Sequence, residues 1–356
     1  MIRGGHKGRG ATLNPEGRFE RQAREVVDDG WGGLDELAAA PGPATTVTPD
    51  TSRSIIARND SPDIGFDQSI NPYRGCEHGC IYCYARPSHS WLGLSAGLDF
   101  ETRLFAKHDA AALLRRELAR PGYVPKTLAL GANTDPYQPV EGRLGITRGV
   151  LQVLAEARHP VGIVTKSARV LRDLDLLRDL AADGLVRVDV SVTSLDAELS
   201  RRMEPRASAP SLRLRAIERL AAAGVPTGAN LAPMIPGIND HEMERLVAAV
   251  AAAGAMSASW ILVRLPFEVK DLFEAWLAEH FPDRAERVLS LIRQCRDGRL
   301  NDPEFGSRMR GSGPVADLLR TRFAAACRRH RLQGRFRPLR TDLFRPPRAD
   351  GQLSLF

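Results

Sequence analysis

The chain has 356 residues, enough for one large buried core or for one core with a small appendage. Its 43% hydrophobic content is that of an ordinary globular protein, and no run approaches the ~18 consecutive apolar residues that argue for a membrane span. Fifty basic against 43 acidic side chains leave a net charge of +7, which suggests a polyanionic partner.

The opening Met1-Ile2-Arg3-Gly4-Gly5-His6-Lys7 has the charge of a secretory leader, but no apolar stretch follows it, so a soluble, cytoplasmic protein is expected. Residues 1–55 are rich in Gly, Pro, Asp and Arg without a sustained apolar period and read as a flexible leader with one short helix near Leu34–Ala40. From about residue 60 short β-branched runs alternate with amphipathic helical stretches. Strands are expected at Gln68–Tyr73, Thr127–Leu130, Val161–Thr165, Val186–Thr193, Pro226–Leu231 and Trp260–Leu265. Helices are expected at Asp109–Arg120, Thr147–Ala157, Val170–Ala182, Ser211–Ala223 and His241–Ala253. The repeat of roughly 30 to 40 residues is that of a βα unit. Six units predict an α/β fold, a parallel sheet curved into a partial (β/α)6 barrel, short of the eight units that close one. Beyond Pro266 the alternation stops. Asp271–His280, Arg284–Arg296 and Pro314–Arg329 read as a helical cap over the open side of the barrel, with the Gly-rich loop Gly306–Gly313 before the last helix. The expected organisation is a leader 1–55, a core 60–298, a helical C-terminal extension 299–345 and a flexible tail 346–356.

Three of the five cysteines, Cys76, Cys80 and Cys83, fall inside eight residues of the segment Asn71-Pro72-Tyr73-Arg74-Gly75-Cys76-Glu77-His78-Gly79-Cys80-Ile81-Tyr82-Cys83-Tyr84. An odd cysteine count and such tight spacing argue against disulfides. Zinc is a competing reading, with His78 or His89 completing a Cys3His set, although zinc sites usually pair their cysteines as two Cys-x2-Cys knuckles and no second one exists here. Three thiolates on a cubane iron–sulfur cluster leave one iron free for a small molecule. The segment resembles the cysteine motif of the radical S-adenosylmethionine (radical SAM) superfamily, down to Tyr82 before the last cysteine. That resemblance implies a [4Fe–4S] cluster whose open iron chelates S-adenosyl-L-methionine. It also implies one-electron cleavage to a 5′-deoxyadenosyl radical, the electron coming from a donor such as flavodoxin or ferredoxin.

In a parallel βα sheet, ligands gather at the carboxyl ends of the strands. The exit Gly131-Ala132-Asn133-Thr134-Asp135-Pro136 offers Asn133, Thr134 and Asp135 to the ammonium of S-adenosylmethionine, where the superfamily usually has a Gly-Gly-Glu motif; it also reads as a plain turn on Asp135-Pro136. Lys166 can pair with the methionyl carboxylate, and Ser191 and Thr193 with the ribose hydroxyls or that carboxylate, unless backbone satisfies them. The segment from Pro233 to Asp240 resembles the one that packs on the adenine, with Met234 and Ile235 as its apolar face.

The set Asn-Pro-Tyr-x-Gly-Cys, Thr-Asp-Pro-Tyr-Gln-Pro-x-Glu, Thr-Lys-Ser and Glu-Pro-Arg is similar to the branch that contains spore photoproduct lyase, a DNA-repair enzyme, over residues 60–265. The lyases carry a hydrogen-donor cysteine before this polar exit. Here Leu130-Gly131-Ala132-Asn133-Thr134 has no thiol, and Cys295 and Cys327 read as core residues. Eight arginines and one acid, Asp342, lie between Arg328 and Arg348, read either as a solvated tail or as a DNA contact. The last five residues match the peptide by which bacterial proteins bind the DNA sliding clamp, with Gln352 as polar anchor and Leu353, Leu355 and Phe356 for apolar pockets. A radical SAM enzyme acting on DNA is the leading expectation. An enzyme modifying RNA or protein and a non-catalytic metal-binding adapter are the alternatives.

Overall fold

The computed structural model describes residues 8–20, 43–332 and 336–347. Among the described residues ten strands run in chain order: β1 (Thr46–Pro49), β2 (Ile56–Arg58), β3 (Gln68–Ile70), β4 (Tyr73–Arg74), β5 (Arg103–Ala106), β6 (Leu128–Leu130), β7 (Val161–Thr165), β8 (Val186–Ser191), β9 (Thr227–Met234) and β10 (Ser257–Leu262). The main sheet has the order β10-β9-β8-β7-β6-β3-β2. Six of its strands are parallel neighbours, as the six βα units require, and β2 adds an antiparallel edge. The sheet is open, so the fold is a partial barrel.

Alternation along the strands explains the layers. In β8, Val186, Val188 and Val190 join the main core, which leaves Arg187, Asp189 and Ser191 on the barrel's inner face. The helices that cover the outside bury one stripe each: Val150, Leu151 and Leu154 in Ile146–Glu156, Ala216, Ile217 and Leu220 in Pro210–Ala222, and Leu246, Val247 and Val250 in Met243–Ala252. Cys295 and Cys327 lie in this core, as expected.

Several boundaries moved. β10 starts at Ser257, before the expected Trp260, because Ser257, Ala258 and Ser259 pair with Gly228, Ala229 and Asn230 of β9 despite lacking β-branched side chains. A small second sheet, β1-β5-β4, went unpredicted. β1 pairs with β5 through Thr46↔Arg103 to Pro49↔Ala106, so the end of the expected flexible leader is part of the fold. The helix expected at Leu34–Ala40 lies outside the described residues.

Among the described residues the C-terminal part forms the helices Val269–His280, Ala285–Gln294 and Gly313–Arg329. The loop before the last helix bridges the two edges of the sheet. The Leu262 N–H, at the end of β10, donates to the Met309 carbonyl (3.0 Å), while the Gly306 N–H and the Arg308 guanidinium reach Asp63 in the β2–β3 connection. This is how the open side is closed. Part of the arginine-rich stretch is also packed, against the reading of a solvated tail: the Arg340 N–H donates to the Gly184 carbonyl (3.1 Å), the Arg345 N–H to that of Ala157 (2.9 Å), and Phe344 packs on Tyr123 and His159. Those carbonyls precede β8 and β7, so the chain leaves along the barrel floor, opposite the strand exits. Gln352, Leu353, Leu355 and Phe356 lie outside the described residues. No described helix is long and apolar enough to cross a membrane.

Candidate functional site

The cysteine loop hangs from β4 and is shaped by glycines. Gly75 (φ +78°) and Gly79 (φ +67°) sit in the left-handed region, and a Cβ on Gly79 would stand 2.6 Å from Glu101 Oε2. The fully buried Arg86, three residues beyond Cys83, fastens the loop. Its guanidinium donates to the carbonyls of Gly79 (3.0 Å), Cys80 (2.8 Å), Ala96 (3.1 Å) and Gly97 (2.9 Å) and pairs with the buried Glu101. Glu101 in turn accepts the N–H groups of Gly10 (2.9 Å) and Ala11 (2.8 Å). A Cβ at Gly10 would come within 1.7 Å of the Gly79 carbonyl oxygen. Residues 8–20 are thus a strap pressed against the cysteine loop, not a free leader. An apolar-period reading could not find it, because backbone N–H groups hold it.

The thiols of Cys76, Cys80 and Cys83 form no disulfide and lie within electrostatic reach of one another. Burial pushes the Cys80 and Cys83 thiols up, and Glu204 adds to it for Cys80 while Lys166 opposes. Free, they would be neutral; a metal centre holds coordinating thiols as thiolates. Among the described residues no three His, Cys, Asp or Glu side chains converge as the ligands of one metal ion would. A cubane asks for less convergence, because each thiolate takes its own iron. The zinc alternative also lacks its fourth ligand. His78 Nδ1 faces Asp135 Oδ2 at 3.4 Å; burial works against its charge, but Asp135 and the Cys76 sulfur outweigh it and raise its pKa to about 10. His89 turns Nε2 to the Arg103 carbonyl (3.0 Å) and leaves Nδ1 buried without a partner, but it belongs to no converging set of ligands among the described residues. The donor set therefore fits a three-thiolate cluster.

The polar strand exits do converge beside this loop, yet they divide into two groups. Asp135 has no acceptor left for an ammonium. Its Oδ1 takes the Tyr137 N–H (2.8 Å) and the Thr165 hydroxyl (2.7 Å), and its Oδ2 takes the Lys166 N–H (2.7 Å) and faces His78. It ties the exits of β6 and β7 to the cysteine loop. The Thr134 hydroxyl donates to the Tyr73 carbonyl (2.9 Å). Thr193 donates to Glu204 Oε1 (2.7 Å) and is fully buried. Met234, expected on the adenine, is buried in the main core between sheet and helices, while its neighbour Ile235 joins the cluster containing Cys80, Ile81 and Tyr82. One residue of strand register separates the two.

Asn133, Lys166 and Ser191 form the second group. The Asn133 side chain is exposed, its backbone N–H held by Asn71 Oδ1 (2.8 Å), and the Ser191 hydroxyl on the inner face of β8 has no hydrogen bond among the described residues. Lys166 Nζ lies 3.8 Å from Glu204 Oε1 and 5.8 Å from the centre of the Tyr82 ring. Burial lowers its pKa, with Cys80 beside it acting in the opposite sense. Glu204, which the Glu-Pro-Arg motif had marked only as a strand exit, is the hub. Its carboxylate pairs with the fully buried Arg213 and accepts from the Tyr82 hydroxyl. Arg213 sits in the first turn of the helix Pro210–Ala222 and carried no sequence signal.

The comparisons with known proteins agree with this geometry. Residues 70–250 match the family model of the radical SAM superfamily. An uncharacterized protein of Mycobacterium tuberculosis is 35% identical over 290 residues, 81% of this chain and 80% of that one. An uncharacterized protein of Methanocaldococcus jannaschii is 27% identical over 173 residues, 49% of this chain and 62% of that one. Among solved structures, a point mutant of spore photoproduct lyase superposes with a TM-score of 0.58 over 87% of this chain and 86% of that one, at 16% identity. Spore photoproduct lyase complexed with dinucleoside spore photoproduct gives 0.55 over 87% and 85%, also at 16% identity. At that identity the likeness shows the fold alone. The chain belongs to the radical SAM superfamily, whose cofactors are a [4Fe–4S] cluster and S-adenosylmethionine.

Proposed function

We propose that this protein is a cytoplasmic radical SAM enzyme that acts on DNA, with Cys76, Cys80 and Cys83 as cluster ligands. The observation that carries the reading is one loop with two buried thiols and a third half-buried one beside a lysine ammonium and an unbonded serine hydroxyl at the carboxyl ends of a parallel sheet. When bound, the cluster supplies the electron that splits S-adenosylmethionine and yields a 5′-deoxyadenosyl radical. Lys166 receives the methionyl carboxylate, Ser191 a ribose hydroxyl or that carboxylate, and Asn133 the ammonium. Asp135, Thr134 and Thr193 keep these residues in place. The net charge of +7 and the shared fold with a lyase that acts on a DNA lesion support a DNA substrate. The missing thiol at Leu130–Thr134 argues for a different hydrogen donor and hence a different lesion or product.

Reduced, reconstituted protein is expected to convert S-adenosylmethionine to 5′-deoxyadenosine and methionine, faster with DNA than without. Lys166→Ala should weaken cofactor binding by ~2–5 kcal/mol, the usual loss when one partner of a buried charge pair is removed. No cleavage under strong reductant sinks the enzyme reading, and stimulation by RNA or a protein but not DNA sinks the substrate.

The tail, on this reading, tethers the enzyme to the sliding clamp. Deleting Leu355 and Phe356 is expected to abolish a micromolar interaction with a bacterial clamp and to leave cofactor cleavage intact, since few side chains reach pockets and the chain leaves by the barrel floor. Titrating clamp with full-length and truncated protein decides it. Binding that persists without those residues, or none at tens of micromolar, removes the tether.

A further inference from the structure

Among the described residues two neighbouring arginines beyond β10 lack a counter-ion. Arg264 follows β10, and Arg296 lies behind it after the helix Ala285–Gln294. Arg296 is 1% exposed; its Nε and Nη2 donate to the Val263 carbonyl (3.2 and 2.6 Å), and its Nη1 is buried without a partner. The Arg264 Nε is likewise buried and unpartnered, and its Nη1 has only Met309 Sδ at 3.8 Å. Its guanidinium stands 5.8 Å from the centre of the Tyr84 ring, directly after Cys83, and the Tyr84 hydroxyl donates to the Ala132 carbonyl at the exit of β6. Arg264 is therefore at the site, and Arg296 packs behind it on the Val263 carbonyl.

Among the described residues neither guanidinium has a carboxylate within ion-pair distance. The acids in electrostatic reach are engaged. Asp63 binds Arg308 and the Gly306 N–H, and Asp302 accepts the Ser307 hydroxyl (2.5 Å) and the Glu304 N–H (2.9 Å). Burial, and then Arg264, lower the pKa of Arg296, though only to about 10, so it stays charged at neutral pH. A desolvated cation without an opposite charge is unfavourable, and an oxyanion in the guanidinium fork relieves it.

We infer that Arg264 and Arg296 form an oxyanion subsite beside the cofactor site, and that its ligand is a phosphate of the nucleic-acid substrate. Methionyl carboxylate would offer similar chemistry. However, Lys166, directly after β7, faces the cysteine loop, whereas Arg264 lies just beyond the edge strand β10, three strands away, beside the seam where the Gly306–Gly313 loop meets the β2–β3 connection. The phosphate assignment rests on the nucleic-acid reading above; the anion subsite does not.

The test uses reconstituted full-length protein, wild type and Arg264→Gln, at constant ionic strength. Three quantities are measured: the shift of melting temperature with inorganic phosphate, the affinity for a single strand of about ten nucleotides, and the affinity for S-adenosylmethionine. The expected result is phosphate stabilisation of the wild type alone and a loss of oligonucleotide affinity on the order of tenfold in the variant, with cofactor affinity unchanged. Arg264→Lys should restore little, because an ammonium lacks the planar fork. If cofactor affinity falls instead, the anion is the methionyl carboxylate and the phosphate assignment is overturned. Equal phosphate and oligonucleotide binding in both proteins overturns the subsite itself. Phosphate binding that depends on Arg264, in a protein that binds no nucleic acid, supports the subsite and overturns the nucleic-acid reading.

Discussion

Replacing Cys76, Cys80 or Cys83 by alanine, one at a time, is expected to abolish the iron–sulfur cluster and with it all cleavage of S-adenosylmethionine. Three protein ligands leave no spare, since Cys295 and Cys327 are buried in the sheet–helix core. The polypeptide should stay folded, because the loop is held by Arg86 through four backbone carbonyls and by Glu101, not by the sulfurs. Iron and acid-labile sulfide analysis after anaerobic reconstitution, together with far-ultraviolet circular dichroism of the apoprotein, gives both answers. Wild-type protein with stoichiometric zinc and no sulfide would defeat the assignment. A single alanine variant that still holds a full cluster would remove that cysteine from it.

The second large effect is expected at Glu204, which no motif reading ranked as more than a strand exit. Its side chain and that of Arg213 are buried, with exposures of 0% and 1%. Glu204→Ala leaves the guanidinium of Arg213 without its carboxylate, and breaking a buried pair in this way typically costs about 3–5 kcal/mol. The Tyr82 and Thr193 hydroxyls lose their acceptor in the same step, and Lys166 loses its nearest anion. Glu204→Gln keeps the shape and one acceptor and should cost less. Denaturant unfolding of the apoproteins measures both. If the alanine variant loses under about 1 kcal/mol, inside the range of an exposed pair, the hub is not structural. Should both variants fold normally, unchanged cofactor affinity would show that Glu204 does not position Lys166.

Much of this protein could be read without coordinates. The Cys-x3-Cys-x2-Cys spacing is local chemistry, so three thiols are carried on one short loop whatever the rest of the chain does. The βα alternation is equally local. Val-x-Val-x-Val in β8 and the apolar stripes of Ile146–Glu156 and Met243–Ala252 each carry their own period, which is why six parallel strands were expected and six are found. What sequence alone left undecided depends on partners distant in the chain. Asn133, Thr134 and Asp135 are adjacent and equally polar, yet only Asn133 keeps a free side chain, because Tyr73, Thr165 and His78 occupy the other two. Ser191 and Thr193 differ only in that Glu204 reaches the second. Met234 and Ile235 were offered to one ligand, but the pleat sends them to different clusters. The strap at Gly10 and Ala11 is held by backbone N–H groups on Glu101, 90 residues or more away, and no side-chain pattern encodes that. Sequence by itself determined which kind of centre this protein builds, since ligand type and spacing are local. Tertiary structure decided which polar residues are left to face it, because hydrogen-bond satisfaction is settled only when distant segments meet.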